Sequence, residues 1–138
     1  MSKIKITLKR ENISVMARLR DDISPLTCSA FEKVLPVSGK TMHARWCGDE
    51  IWTSVKGMGE YQKESETILP NKGELLLIPS GENNNHLTLW YGRGWCISPK
   101  GFEPGNVLAQ IEGDFEEFAK ACNGVLVNGM DEILIEKV

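Results

Sequence analysis

The chain has 138 residues, of which 41% are hydrophobic and 25% are charged, and both fractions are normal for a globular protein. Its 16 Lys and Arg residues are scattered among 19 Asp and Glu residues, so the basic stripe of a nucleic-acid-binding protein is missing. No apolar run approaches the roughly 20 residues that a membrane span needs, and the N-terminus already alternates polar and apolar residues. We therefore expect one cytoplasmic domain over residues 1–138, with neither nucleic acid nor membrane as a partner.

The cysteines and histidines argue against a metal site. The four cysteines are Cys28, Cys47, Cys96 and Cys122. They form no Cys-x-x-Cys pair, which excludes the usual spacing of a zinc ribbon or a thioredoxin-type redox motif, and we expect reduced, mostly buried thiols. Because the chain has only two histidines and no phosphate loop, dinucleotide fingerprint or Gly-x-Ser-x-Gly motif, we predict no metal and no cofactor.

Period-two alternation of polar and apolar residues predicts that most of the chain is β-strand. The predicted strands are 3–9, 13–19, 40–47, 50–55, 73–79, 86–91, 106–112 and 132–136, with a short strand-like stretch at 125–127. A tight turn at Gly48-Asp49 joins the third strand to the fourth, and turn residues fill 80–85. Two glycine-bearing segments, 56–72 and 92–105, are predicted to be long loops.

Two segments have helical periodicity. The first is capped by Ser24, carries Pro25 at its first position and ends at Pro36. The second is capped by Asp114 and closed by Gly124. Strands and helices do not alternate one for one, which argues against a doubly wound parallel sheet. The order instead predicts a mainly β protein, a closed antiparallel barrel of about eight strands with two α-helices.

Three motifs carry a resemblance to a known family. They are the hairpin Trp46-Cys-Gly-Asp-Glu-Ile-Trp52, the apolar strand Leu75–Pro79, and the strand Leu87-Thr-Leu-Trp-Tyr-Gly92. With these motifs in this order, the chain resembles from end to end the small bacterial cyclophilin-like proteins of unknown function. It is more distantly similar to the prolyl isomerases. The resemblance implies a cyclophilin-like barrel and brings no established activity with it.

The predicted strand 40–47 offers the first candidate site residues. Successive side chains point to opposite faces, so His43 and Arg45 share one face. The other face carries Met42, Ala44 and Trp46 and is expected to point into the barrel. The resemblance to prolyl isomerases implies that Arg45 stands where those enzymes keep a catalytic Arg, and a guanidinium suits the binding of a carboxylate. The alternative is a solvated arginine on a sheet face.

The next candidates come from two further strands. Glu50 and Trp52 share a face, and beside Arg45 they would form an acid, a base and an aromatic wall. The alternative is a cross-strand salt bridge worth at most about 1 kcal/mol. His86 and Trp90 are expected to face outward, because the apolar residues of their strand, Leu87, Leu89 and Tyr91, go inward. His86 is either a group that titrates near neutral pH or a hydrogen-bonded structural histidine.

These residues predict a protein that binds a small polar or anionic ligand in a groove on the outer barrel face. The candidate ligand-binding residues are Arg45, Glu50, Trp52, His86, Trp90 and His43. One alternative is a divergent peptidyl-prolyl isomerase with a peptide ligand, although Glu50, Ile51 and Thr53 stand where those enzymes carry Phe, Met and Gln. Another is an interaction module without catalysis that forms a homo-oligomer; for this, the loop residue Trp95 offers an exposed contact.

Overall fold

Eight antiparallel strands close into a barrel in this computed structural model, which describes residues 2–138. The barrel strands are β1 (Lys3–Leu8), β2 (Ile13–Leu19), β3 (Val37–His43), β4 (Gly48–Lys56), β5 (Glu74–Pro79), β6 (Asn84–Gly94), β9 (Asn106–Ile111) and β10 (Asp131–Lys137). A small hairpin consists of β7 (Ile97–Ser98) and β8 (Gly101–Phe102). Around the barrel the order is β1, β10, β3, β4, β6, β5, β9, β2. This confirms the predicted closed, mainly β architecture.

Two helices pack against the barrel, α1 (Pro25–Val34) and α2 (Glu116–Asn128). Phe31 of α1 and Phe118 of α2 are fully buried in the same apolar cluster as the inward-facing side chains of the strands. Neither helix in the described part of the chain has the length and apolar character that a membrane crossing requires. The burial of Phe31 and Phe118 shows that both helices complete the barrel core.

The first helix is capped differently from the prediction. Ser24 does precede α1, but its hydroxyl contacts Ser65 and makes no capping hydrogen bond. Instead, the carboxylate of Glu64 accepts hydrogen bonds from the backbone N–H groups of Leu26 (3.0 Å) and Thr27 (2.7 Å). The negative charge also suits the positive end of the helix dipole. A residue from the long loop thus takes the role that the sequence assigned to the neighbouring serine.

The predicted end of the second helix is wrong. The helix continues past Gly124 to Asn128 and ends at Gly129, whose φ of 93° an L side chain rarely adopts. The stretch 125–127, predicted as strand, is therefore the last turn of α2. Burial explains the extension, because Val125 packs into the core at helical spacing from Cys122. That packing outweighs the roughly 1 kcal/mol that a glycine costs inside a helix.

The predicted strand 40–47 is wrong in its second half. β3 begins earlier and ends at His43, and residues 44–47 form a bend that replaces the predicted turn at Gly48-Asp49. The pairs Met42–Trp52 and His43–Ile51 then put Met42 on the outer face and His43 on the inner side, the reverse of the expected alternation. Trp46, expected inside the barrel, is 59% exposed in the bend.

Candidate functional site

The outer face of the barrel carries a second apolar cluster. Its buried members are Cys47, Leu76, Ile78, Trp90, Cys96 and Val107. The loops on either side cover it, since the backbone N–H of Cys96 donates to the carbonyl of Ile68 (2.8 Å) and that of Trp95 to the carbonyl of Cys47 (3.0 Å). The barrel wall is therefore buried on both sides here, which explains why β5 is almost continuously apolar.

Beside this cluster lies a cavity of about 510 Å³. Its lining includes all six residues singled out from the sequence, namely His43, Arg45, Glu50, Trp52, His86 and Trp90. Met42 and Trp46 also line it, together with residues from the β7–β8 hairpin and the end of α2. We call this space the outer-face cavity. The structure thus brings the predicted residues together, though two of them reach the cavity from positions that the alternation did not predict.

A β-bulge lies next to Glu50, beside the outer-face cavity. Gly48 pairs with Gly94 and Glu50 with Trp90, so β6 carries two more residues than β4 between these two pairs. Gly48 has a φ of 109°, and a Cβ there would overlap the backbone of Arg93. Asp49 secures the bulge by accepting a hydrogen bond from the backbone N–H of Arg93 (3.3 Å). Glu50 itself keeps the regular pairing with Trp90, and period-two alternation places it on the same face of β4 as Trp52.

Glu50 is a carboxyl group in apolar surroundings. Its side chain is almost completely buried, with the residue only 5% exposed. Its hydrogen-bond partner is the thiol of Cys47, which donates to Oε1 at 2.9 Å. Burial raises the pKa of Glu50 to about 7, and the Cys47 hydrogen bond opposes that rise. Near neutral pH this group is therefore divided between its charged and neutral forms.

The aromatic walls are held by hydrogen bonds and stacking. Trp90 is completely buried, and its indole N–H donates to the hydroxyl of Thr88 at 2.9 Å. Trp52 stacks on His86 with ring centroids 4.5 Å apart. His86 Nε2 also shares a hydrogen bond of 2.9 Å with the hydroxyl of Ser80, and burial lowers the pKa of the imidazole. The rings are thus fixed before any ligand arrives.

His43 lines the outer-face cavity and also makes hydrogen bonds at the end of the barrel. Its Nε2 shares a hydrogen bond of 2.6 Å with the hydroxyl of Tyr91, and its Nδ1 contacts the carbonyl of Ala44. Burial raises the pKa of Tyr91 above its ordinary range. With both ring nitrogens engaged in the protein, His43 can contribute to the cavity through its ring face rather than as a free hydrogen-bonding group.

The rim of the outer-face cavity carries both charged and apolar side chains. Arg45 and Glu103 are exposed there, and no ion pair within residues 2–138 involves either of them or Glu50. The cross-strand salt bridge considered for Glu50 is therefore not formed. The other rim residues include Leu126 and Met130, which remain exposed despite their apolar side chains.

Some lining residues could not be found from the sequence. Cys47 carries a sequence signal, because it stands three residues before Glu50 in the hairpin motif, but its contact with Glu50 depends on the bend over residues 44–47. Leu126 lies in the last turn of a helix that the sequence ended too early, and Met130 follows that helix directly. All four cysteines are free and buried. In residues 2–138 no three His, Cys, Asp or Glu side chains converge in a way that could hold a metal ion.

Comparisons with known proteins show the fold and the family. The structure of McbB in complex with tryptophan matches 96% of this chain with a TM-score of 0.76 and 15% identity, while the chain spans only 44% of McbB. The solution structure of the hypothetical protein AF2241 from Archaeoglobus fulgidus matches 99% of this chain and 95% of its own, with a TM-score of 0.69 and 17% identity. No curated protein of established function matches. At these identities, the two solved structures show only that this chain has the same fold as they have. Residues 6–136 match the profile of the family described as protein of unknown function (DUF3830), and the chain belongs to that family.

Proposed function

We propose that the protein binds a small molecule with a planar apolar body and a polar or anionic group in the outer-face cavity. The observation that carries this proposal is the cavity itself, which combines aromatic walls with one buried carboxyl group. Its volume of about 510 Å³ falls within the roughly 300–1,000 Å³ that is typical of ligand pockets. Mostly apolar walls with a few placed polar groups are the usual form of such pockets.

The planar body is inferred from the tryptophans. Trp52 is half-buried and stacked on His86, while Trp46 projects from the bend with most of its surface exposed. A flat ligand that stacks on an indole gains the buried area and about 0.5–1.5 kcal/mol from the ring contact. Because Trp52 and Trp90 are already held in place, little conformational entropy is lost on binding.

The polar or anionic group is inferred from Arg45. Its guanidinium stands at the cavity rim, and it pairs with no carboxylate in the described chain. A guanidinium binds a carboxylate through two parallel hydrogen bonds. The McbB structure was solved with tryptophan, an aromatic molecule with a carboxylate, and this compound class fits the same two requirements. We therefore place aromatic carboxylates first among the ligands to test.

We further propose that the barrel is of the cyclophilin kind, a proposal supported by its eight antiparallel strands, its two helices and the three motifs described above. A prolyl isomerase site is less compatible with this cavity. A proline ring packed against Glu50 would leave a buried carboxylate with no partner other than the Cys47 thiol, which is costly. The exposed apolar rim residues Leu126 and Met130 favour, as a second candidate, an interface with another protein chain.

Ligand titrations with a matched pair of arginine variants test the proposal. Tryptophan, indoleacetate, benzoate, a neutral indole and a proline peptide are titrated while cavity tryptophan fluorescence and thermal unfolding are recorded. A ligand at 100 times its Kd raises the free energy of unfolding by about 2.7 kcal/mol. Arg45→Ala should lose the aromatic carboxylates and keep the neutral indole. Arg93→Ala, exposed and outside the cavity lining, should bind both like the natural chain.

The same experiment separates the alternatives. If none of the compounds shifts the unfolding temperature or the fluorescence, the small-molecule proposal is wrong. In that case a stable oligomer in light scattering would support the interface. A response to the proline peptide alone would point to the isomerase.

A further inference from the structure

We infer that Glu50 is a catalytic base, and that the outer-face cavity transfers a proton from a planar substrate with an acidic C–H or N–H bond. This inference rests on the proposed function, since the substrate must first bind in the cavity. It goes beyond binding, because it makes the protein an enzyme and assigns a reacting atom. Three features of the described residues lead to it: one Glu50 carboxyl oxygen that no protein group engages, the absence of a neutralising cation, and the aromatic walls of the cavity.

The hydrogen bonding of Glu50 leaves one oxygen available. The thiol of Cys47 engages Oε1, and no protein group among residues 2–138 donates to Oε2. A carboxyl with a structural task normally has several donors, as Glu64 does at the start of α1. Glu50 instead lines the outer-face cavity, so a substrate placed there can meet the free oxygen directly.

The charges around Glu50 keep it reactive. The thiols of Cys47 and Cys96 lie beside it, and burial raises both of their pKa values, that of Cys96 to about 12. Both thiols are therefore neutral at physiological pH. The other ionisable groups that line the cavity are His43, Arg45, His86 and Glu103, and none of them forms an ion pair with Glu50. A carboxylate without a counter-ion in apolar surroundings is a stronger base than one in water.

The proposed step is balanced without any co-reactant. The Glu50 carboxylate takes the proton, the C–H or N–H bond breaks, and its electron pair moves into the π-system of the substrate. The proton on Glu50 then returns to another atom of the same molecule, which isomerises it, or passes to water. The walls formed by Trp52 and Trp90 hold a flat substrate against the carboxyl group, and such positioning is itself a large part of catalysis.

Nitrobenzisoxazole is a suitable probe, because its reaction needs only a base. Glu50 would remove the ring proton next to nitrogen, and the C–H electron pair would form the nitrile while the N–O bond breaks. The product is a coloured phenolate, and Glu50 passes its proton to water. We expect saturable turnover whose rate rises with pH around a midpoint near 7. Glu50→Gln should lower kcat/KM by about 100-fold or more, the typical contribution of a general base.

The control is a second carboxyl group of equal burial. Glu74 is also 5% exposed, but it lies outside the cavity, where it accepts a hydrogen bond from the backbone N–H of Asn71. Glu74→Gln should keep the full turnover number. If Glu50→Gln and Glu74→Gln react equally fast, or if the natural chain is no faster than acetate, the catalytic role is wrong.

Binding of the probe is measured separately by the quenching of tryptophan fluorescence. Saturable quenching without turnover overturns the catalytic role and leaves the proposed binding function intact. A probe that neither quenches nor reacts shows that the cavity does not admit a planar aromatic molecule, which overturns both proposals. Turnover that depends on Glu50 and saturates with the quenching curve supports both.

Discussion

The two faces of the barrel wall are built from the same strands but differ in how completely side chains fill them. On β6, Leu87 and Leu89 point into the core, whereas His86, Thr88 and Trp90 point outward. The inner face is filled mostly by apolar side chains. The outer face is filled only in part, and the remainder is left open as the outer-face cavity.

The polar groups on the two faces differ in the same way. Inside, the hydroxyl of Thr41 donates to the carbonyl of Trp52 and that of Thr53 to the carbonyl of Lys40, so each is satisfied by backbone. Outside, Glu50 is equally buried but has only the Cys47 thiol as a partner. Residues that depart from the rules of stable folding are expected at functional sites. The inner face is thus built for stability, whereas the outer face gives up some stability at the proposed site.

The largest expected effect is the loss of stability when a packed leucine is shortened. It tests whether the second apolar cluster, on the outer face, is packed as tightly as the barrel core. Leu77 points into the barrel and its neighbour Leu76 into the outer cluster, and each is at most 1% exposed. We expect Leu77→Ala and Leu76→Ala to lower the free energy of unfolding by similar amounts, about 2–5 kcal/mol each. Urea denaturation followed by circular dichroism measures both. A loss below about 1 kcal/mol for Leu76→Ala alone would show that the outer cluster is only a loosely packed cover.

The next largest effect is the loss of stability that comes from burying the carboxyl group of Glu50. Its pKa rises from 4.5 to about 7 on folding, so between these pH values the folded chain holds a proton that the unfolded chain has lost. The contribution of Glu50 to stability is therefore highest below about pH 4.5, declines up to about pH 7 and stays low above it. We expect the natural chain to lose about 3 kcal/mol relative to Glu50→Gln between about pH 4 and pH 8. Urea denaturation across this range measures the difference, and parallel curves for the two chains would contradict the buried, unpaired carboxyl.

A smaller effect is expected at the bulge next to Glu50. A Cβ on Gly94 would overlap the carbonyl oxygen of Cys47 and the ring of Trp90, so Gly94→Ala must displace the bend or the indole. We expect it to cost about 1–3 kcal/mol and to weaken ligand binding. Gly124→Ala is the matched control, since its nearest neighbour would lie 3.8 Å away in the interior of α2. That change should raise stability by up to about 1 kcal/mol. Equal stability of both variants would show that the bulge tolerates a side chain.

Much of the difference between the two faces could be predicted from the sequence, because period-two alternation indicates which side chains share a face. Glu50, Trp52, His86 and Trp90 lie within regular strands, and the structure places all four on the outer face as predicted. The closed barrel followed from the number of strands and the two helices. Whether these residues bind a ligand is not something that the alternation or the fold decides, and it stays a prediction.

The errors arose where the chain leaves a regular period. Period-two alternation was extended through residues 44–47, although Gly48 with its positive φ starts a bulge there, and this misplaced Met42 and Trp46. The contribution of α2 to the cavity rim was missed because Gly124 was interpreted as a helix end. Both errors concern tertiary packing that overrides a local signal.

The smallest change in stability is expected for two exposed tryptophans, one that lines the outer-face cavity and one that lies outside it. Trp46 and Trp95 are 59% and 53% exposed, but only Trp46 lines the outer-face cavity. Replacing either by Ala should alter the free energy of unfolding by no more than about 0.5 kcal/mol, because little buried surface is lost. Only Trp46→Ala should weaken an aromatic ligand, by about 0.5–1.5 kcal/mol, or roughly a factor of 2 to 13 in Kd. Calorimetric titration of both variants measures this, and equal Kd values would remove Trp46 from the site and leave Trp52 as the ring on which the ligand stacks.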